Sequence, residues 1–178
     1  MTDRELLRLV AQGDVTAFRE WYDRHSGPLF AYLLRLLRDA HLAEDVLSEA
    51  MLTVWTDARR YRGESSPRTW LYAIARNKAT DRLRQRVVWP LEALDGQRVD
   101  GEAERVDTRV AVEEALKRLP PDQREVVELA FFHGFAYEEI ARIVRCPLNT
   151  VKTRMFLAKQ KLRAQLGDAG GRVGEAGG

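Results

Sequence analysis

Seven cationic side chains and no acid lie between Arg142 and Arg163: Arg142, Arg145, Lys152, Arg154, Lys159, Lys161 and Arg163, a local charge of +7. A second window, Arg59 to Arg86, holds nine cations against Glu64 and Asp81, again +7. Trp70, Tyr72 and Asn77 are interleaved with its charges. Cations at this density neutralise phosphates, and the amides and hydroxyls among them can reach base edges. Aromatic rings among cations suit unstacked bases. The plainer alternative is a solvated basic face, with Trp70 and Tyr72 serving the core. Composition leaves that choice open for the second window.

The whole chain of 178 residues has 29 Lys or Arg and 27 Asp or Glu, a net charge of +2. The two windows hold +14 of this, which leaves −12 for the remainder. A near-neutral total therefore hides a segregated charge distribution. Free protein with such a distribution is expected to bind duplex DNA less indiscriminately than a uniformly basic one.

Other chemistries have little support. Cys146 is the only cysteine, so no intrachain disulfide or thiolate metal cage can form. His25, His41 and His133 are scattered, with no pair at ligand spacing on one helix. No glycine-rich phosphate loop occurs. The residues point to no enzyme, no cofactor and no metal. The start shows no secretory signal. No run approaches the roughly 18 apolar residues of a membrane span, so no membrane insertion is expected. The cytoplasm is the expected compartment.

The elements that must carry these windows read as helices throughout. Apolar residues recur at helical spacing, with no convincing period-2 strand. Thr2 and Glu5 form a capping box for a helix over residues 3–12. Asp14 caps a second helix carrying Phe18, Trp21 and Tyr22, which Gly27-Pro28 is expected to break before a third over residues 29–37. Another runs over residues 43–58. Ser66 and Pro67 suit the N-cap and first position of the helix that carries the second window to about Arg86. Residues 87–107 contain turn signals and a surplus of acids, the marks of a linker. Helices follow from about 108 to Leu119, from Pro121 to about His133, from Tyr137 to Val144 and from Asn149 to Leu166. The glycine-rich residues 167–178 read as a disordered tail. The fold class is all-α: two small helical domains, 1–86 and 108–166, joined by a flexible acidic linker.

Tyr137 to Leu166 has the form of a helix-turn-helix. Ile140 and Val144 face inward on its first helix, and Ala141 lets the second approach closely. Val151, Met155, Ala158, Leu162 and Leu166 share one face of the second helix; Asn149, Lys152, Thr153, Phe156 and Gln160 lie opposite. In this motif the second helix enters the major groove. Cys146 in its turn reads as a buried structural thiol.

Three blocks together resemble the extracytoplasmic-function class of bacterial RNA polymerase sigma factors, of the sigma-70 family, over residues 3–166. The first is Ala43-Glu44-Asp45-Val46-Leu47-Ser48-Glu49-Ala50. The second is Tyr61-Arg62-Gly63-Glu64-Ser65 with Thr69-Trp70-Leu71-Tyr72-Ala73-Ile74-Ala75-Arg76-Asn77. The third comprises residues 119–126, Tyr137-Glu138-Glu139-Ile140-Ala141, Cys146-Pro147 and Thr150-Val151-Lys152-Thr153-Arg154. The resemblance implies a transcription initiation factor that directs core RNA polymerase to promoters. A free-standing operator-binding regulator is the rival; it leaves the 59–86 window without a purpose.

The resemblance also implies roles. Asp45, Leu47, Ser48, Glu49 and Met51 would bind the clamp helices of the polymerase largest subunit, with Leu47 and Met51 as apolar contacts. The acids there could instead simply complement their helix N-terminus. Arg62, Thr69, Trp70, Tyr72, Arg76, Asn77 and Lys78 would hold melted −10 bases, Asn77 in the pocket of a flipped base. Leu148, Asn149, Thr150, Lys152, Thr153, Arg154 and Phe156 would read the −35 duplex. The polymerase flap region and an anti-sigma factor are further implied partners. The sequence departs from the family pattern at Pro67, Ala73, Ala130, Ala136 and Arg145. Arg145 replaces a common turn glycine, so the turn is either strained there or has an ordinary backbone angle.

Overall fold

A computed structural model of the chain describes the backbone of residues 1–88 and 106–171 and the side chains of residues 1–86 and 109–167. Most of the expected linker 87–107, and the tail beyond residue 171, lie outside the described residues. The described residues form eight α-helices and no strand: α1 Asp3–Ala11, α2 Val15–Leu37, α3 Ala40–Asp57, α4 Pro67–Val88, α5 Val106–Lys117, α6 Pro121–Phe131, α7 Tyr137–Val144 and α8 Leu148–Gly171. A short 3-10 turn, Ala58–Arg60, follows α3. The helices divide into two compact units: α1–α4 in the first, and α5, α6, α8 and α7 as far as Ala141 in the second.

The helix starts follow from capping side chains. Thr2 Oγ1 accepts from the Glu5 amide at 3.3 Å, and Glu5 Oε2 accepts from the Thr2 amide at 2.7 Å. Asp14 and Asp39 each accept from the amide three residues on, at 3.0 Å. Ser66 Oγ accepts from the Thr69 amide at 3.1 Å, with Pro67 at the first helical position. These satisfy donors that each helix start would otherwise leave orphaned. At the other end of α1, Gly13 adopts a φ of 86°, and its amide donates to the Val10 carbonyl at 2.9 Å. A side chain would be strained there.

The break expected at Gly27-Pro28 does not occur: α2 runs unbroken from Val15 to Leu37 with Pro28 inside it. Trp21, His25, Leu29, Tyr32 and Leu33 form one continuous buried face across that point. Gly27 and Pro28 lie on the exposed side, where water can satisfy the carbonyl that proline leaves without a donor. Burial of that face outweighs the proline penalty of about 3 kcal/mol, since each large apolar side chain contributes about 1.5–3 kcal/mol. α8 also extends five residues past the boundary read at Leu166.

The first core is closed by Leu6, Leu7 and Val10 from α1, Val46, Ala50 and Val54 from α3, and Leu71, Tyr72, Ala75 and Ala79 from α4, all packed around α2. The second is built from Leu116 and Leu119, Val126 and Leu129, Ile140, and Val151, Met155 and Ala158. α8 packs on α5 and α6.

His25 is buried under the ring of Trp21, centroids 4.3 Å apart, with Nε2 3.3 Å from the Asp3 carboxylate. Burial lowers its pKa from the ordinary 6.5, against the opposing pull of Asp3; Arg24 and Arg68 lower it further. Folding therefore favours neutral His25. Its stability contribution is present above pH 6.5 and is lost as pH falls toward the lowered folded value. The thermal midpoint is expected to drop between pH 7 and pH 5.5 more steeply for the native chain than for His25→Gln. Parallel pH profiles would contradict this.

Candidate functional site

The loop before α4 is organised by Tyr61. Its hydroxyl donates to the Ser65 carbonyl, and its ring lies 5.4 Å from that of Trp70. Arg62 is exposed in this loop. Ser66 and Thr69 then share a hydroxyl contact at 2.8 Å.

Along α4, 100° per residue places Leu71, Tyr72, Ala75 and Ala79 inward and Trp70, Ala73 and Asn77 outward. Trp70 and Asn77 are half-buried and stand two turns apart, about 10 Å. Arg76 and Lys78 are half-buried on either side. An aromatic ring and an amide on one cation-flanked face are the groups that stack and hydrogen-bond an unpaired base.

Two residues expected in this set are not on that face. Tyr72 is 1% exposed, its ring centroid 5.3 Å from that of Tyr32 and 5.4 Å from the Arg68 guanidinium carbon. Burial raises its pKa. It is a core residue, as helical spacing allowed. Thr69 is also 1% exposed and serves the start of α4 through Ser66. Both position the face rather than form it.

On α3, Asp45 and Ser48 are exposed, whereas Leu47 and Met51 are buried and expose little apolar surface of their own. Glu49 is half-buried and ion-paired to Arg82 of α4; Asp39 and Arg86 make a second α3–α4 pair. The apolar surface on offer is instead a groove of about 400 Å³ between α2 and α3. Phe18 and Trp55 meet edge to face in it, centroids 5.2 Å apart. Val15, Tyr22 and Leu52 expose 69%, 39% and 61% of their surface around it, and Met51 lines it. Sequence reasoning missed Val15, Leu52 and Trp55. The signal was the width of the apolar arc: Val15, Phe18 and Tyr22 follow helical spacing on a stripe separate from Trp21, His25 and Leu29.

In the helix-turn-helix, Val151, Met155 and Ala158 are buried, and Asn149, Lys152, Thr153 and Phe156 are exposed. Leu148 and Thr150 are half-buried at the helix start. The Thr153 hydroxyl donates to the Asn149 carbonyl at 2.9 Å. Arg154 has partners within its own unit. It is half-buried, 3.3 Å from the Asp122 carboxylate of α6, with a guanidinium nitrogen 3.9 Å from Cys146 Sγ. It ties the second helix to α6. Cys146 is half-exposed in the turn rather than buried. The start of α7 lacks a hydroxyl cap at Ala136, and Glu139 accepts from the Ala136 amide at 2.9 Å instead.

Both units thus present a helix buried on one side and cationic on the other, the form of a protein that grips nucleic acid at two places. Residues 21–87 match the family described as Sigma-70 region 2, and residues 109–162 match Sigma-70, region 4. SigK of Mycobacterium tuberculosis, an ECF RNA polymerase sigma factor, is 34% identical over 89% of this chain and 90% of its own length. The RNA polymerase sigma-H factor of Pseudomonas aeruginosa is 30% identical over 90% of this chain and 91% of its own. The sigma factor RpoE of Bartonella quintana, solved with the anti-sigma factor NepR, superposes with a TM-score of 0.69 at 26% identity, covering 85% of this chain and 98% of that one. The chain belongs to the ECF class of the sigma-70 family. It is a promoter-directing transcription initiation factor rather than a free-standing regulator. No described helix is long and apolar enough to cross a membrane.

The departure at Arg145 resolves into strain. Its φ is 53°, the left-handed region where glycine sits without cost. Arg145→Gly is expected to stabilise the chain by about 1 kcal/mol, strain relief less the entropy of a glycine. Arg145→Ala should give no such gain. A chemical-denaturation midpoint that falls equally in both variants would contradict this.

Proposed function

We propose that the first unit docks on core RNA polymerase and holds unpaired −10 bases, while the second reads −35 duplex. The observation that carries this reading is the pair of one-sided cationic helices, α4 and α8, each on its own core within one chain. Extruding a base costs a few kcal/mol of stacking and pairing. A face that binds only the extruded base favours the melted state by mass action, with no chemical step. Trp70 supplies a stacking surface and Asn77 a donor and an acceptor for a base edge. Arg62, Arg76 and Lys78 track the strand. On α8, Asn149, Lys152 and Thr153 occupy the first turns of the helix, which enter the major groove in this motif.

Docking uses the outer edge of α3. Asp45 and Ser48 suit polar contacts with the clamp helices of the polymerase largest subunit, and the adjoining groove accepts an apolar side of the partner. Glu49 contributes through Arg82 rather than directly. The second unit meets the flap region. The chain acts in the cytoplasm, where the polymerase is. An anti-sigma factor holds it when free, a reading supported by the Bartonella neighbour's complex.

Reconstitution with core polymerase and a promoter panel tests the reading. Full-length chain is expected to bind core and to give transcription from a distinct subset of promoters. Absence of either would overturn it. Leu52→Glu, which places a charge at the groove, should weaken binding to core at least tenfold while leaving the fold intact.

A further inference from the structure

Two large apolar side chains stand out of water in the middle of the second helix-turn-helix helix: Phe156 is 62% exposed and Leu157 37%. At 100° per residue they flank the outward line through Thr153 and Gln160, opposite buried Val151, Met155 and Ala158. Lys152, Lys159 and Arg163 border this stripe on one side, and Lys161 on the other. Cations on both borders of an uncharged stripe match a groove walled by two phosphate strands, with base edges between them. An apolar pair at that place needs an apolar partner. The major groove offers one on its base edges, the C5 methyl of thymine.

We propose that Phe156 and Leu157 read thymine methyl groups in the −35 duplex, two turns into the helix. The inference deepens the −35 assignment and rests on it. It adds Leu157, which the sequence pattern did not single out, and it assigns Phe156 a definite chemistry. Asn149 and Thr153 read hydrogen-bonding edges nearer the helix start; the apolar pair selects A·T pairs by orientation, because the methyl lies on one strand only.

The test uses holoenzyme reconstituted from the full chain and core polymerase. A duplex pool randomised across the −35 element yields the preferred sequence. Each thymine in it is then replaced singly by deoxyuridine, which removes the methyl and nothing else. One or two positions are expected to lose about fourfold in affinity, the equivalent of one buried methyl group at about 0.8 kcal/mol. Holoenzyme carrying Phe156→Ala or Leu157→Ala should bind the thymine and deoxyuridine duplexes equally at those positions. Indifference to deoxyuridine everywhere, or an undiminished penalty in both variants, overturns the proposal while leaving the −35 assignment standing. So does a loss of core binding in the variants with duplex recognition unchanged, which would make the pair a protein contact. A pool that yields no preferred sequence overturns the proposal and the promoter reading together.

Discussion

Tyr72 lies against Tyr32 with ring centroids 5.3 Å apart, both rings cut off from water and the Arg68 guanidinium beside Tyr72. Such aromatic pairs add about 0.5–1.5 kcal/mol beyond the area they bury. The contact also fixes the rotation of α4 about its own axis. With Tyr72 inward, Leu71, Ala75 and Ala79 follow it into the core, and Trp70 and Asn77 have no choice but to face out. A rotation of one residue would bury an amide and a cation without partners, at a cost of several kcal/mol. The function of the first unit depends on this packing constraint more than on any exposed residue taken alone.

Charge is arranged on the same logic. The α3–α4 pairs, Glu49 with Arg82 and Asp39 with Arg86, are partly exposed and worth about 0–1 kcal/mol each. Their larger effect is geometric: they direct cations of the second window toward α3 and leave the outward arc of α4 to Trp70 and Asn77. Arg154 plays the same part in the second unit. Its pairing with Asp122 offsets a cation of the first window and ties α8 to α6. A raw charge of +7 per window therefore overstates what each face presents. The acids of these pairs, Asp39, Glu49 and Asp122, belong to the acidic remainder that brings the total near zero.

The helices were legible because their signals are local. Capping residues Thr2, Asp14 and Ser66 act within four positions, and apolar spacing is a property of one helix; the Asp39 cap went unread, and α3 starts three residues before the 43 expected. Pro28 misled because its penalty is local while the compensating burial of Leu29, Tyr32 and Leu33 is tertiary. On α4, Asn77 and Trp70 stand out by residue type and lie on the outward face, whereas Tyr72 and Thr69 lie inward, a difference set by rotation about α4. The apolar groove was illegible because α2 and α3 each supply half of it. The Arg154 ion pair was illegible because its acid, Asp122, lies 32 residues away in the chain.

The central claim is that α4 and α8 engage DNA in different states, unpaired and duplex, within one complex. A combined footprint on a reconstituted holoenzyme–promoter complex tests it most directly. The account predicts protection of intact duplex around −35 together with permanganate-reactive, unpaired thymines around −10. With Asn77→Ala, the reactive thymines should diminish while the −35 protection persists. Protection of duplex at both elements with no reactive thymines, or equal loss of both signals in the variant, would contradict it.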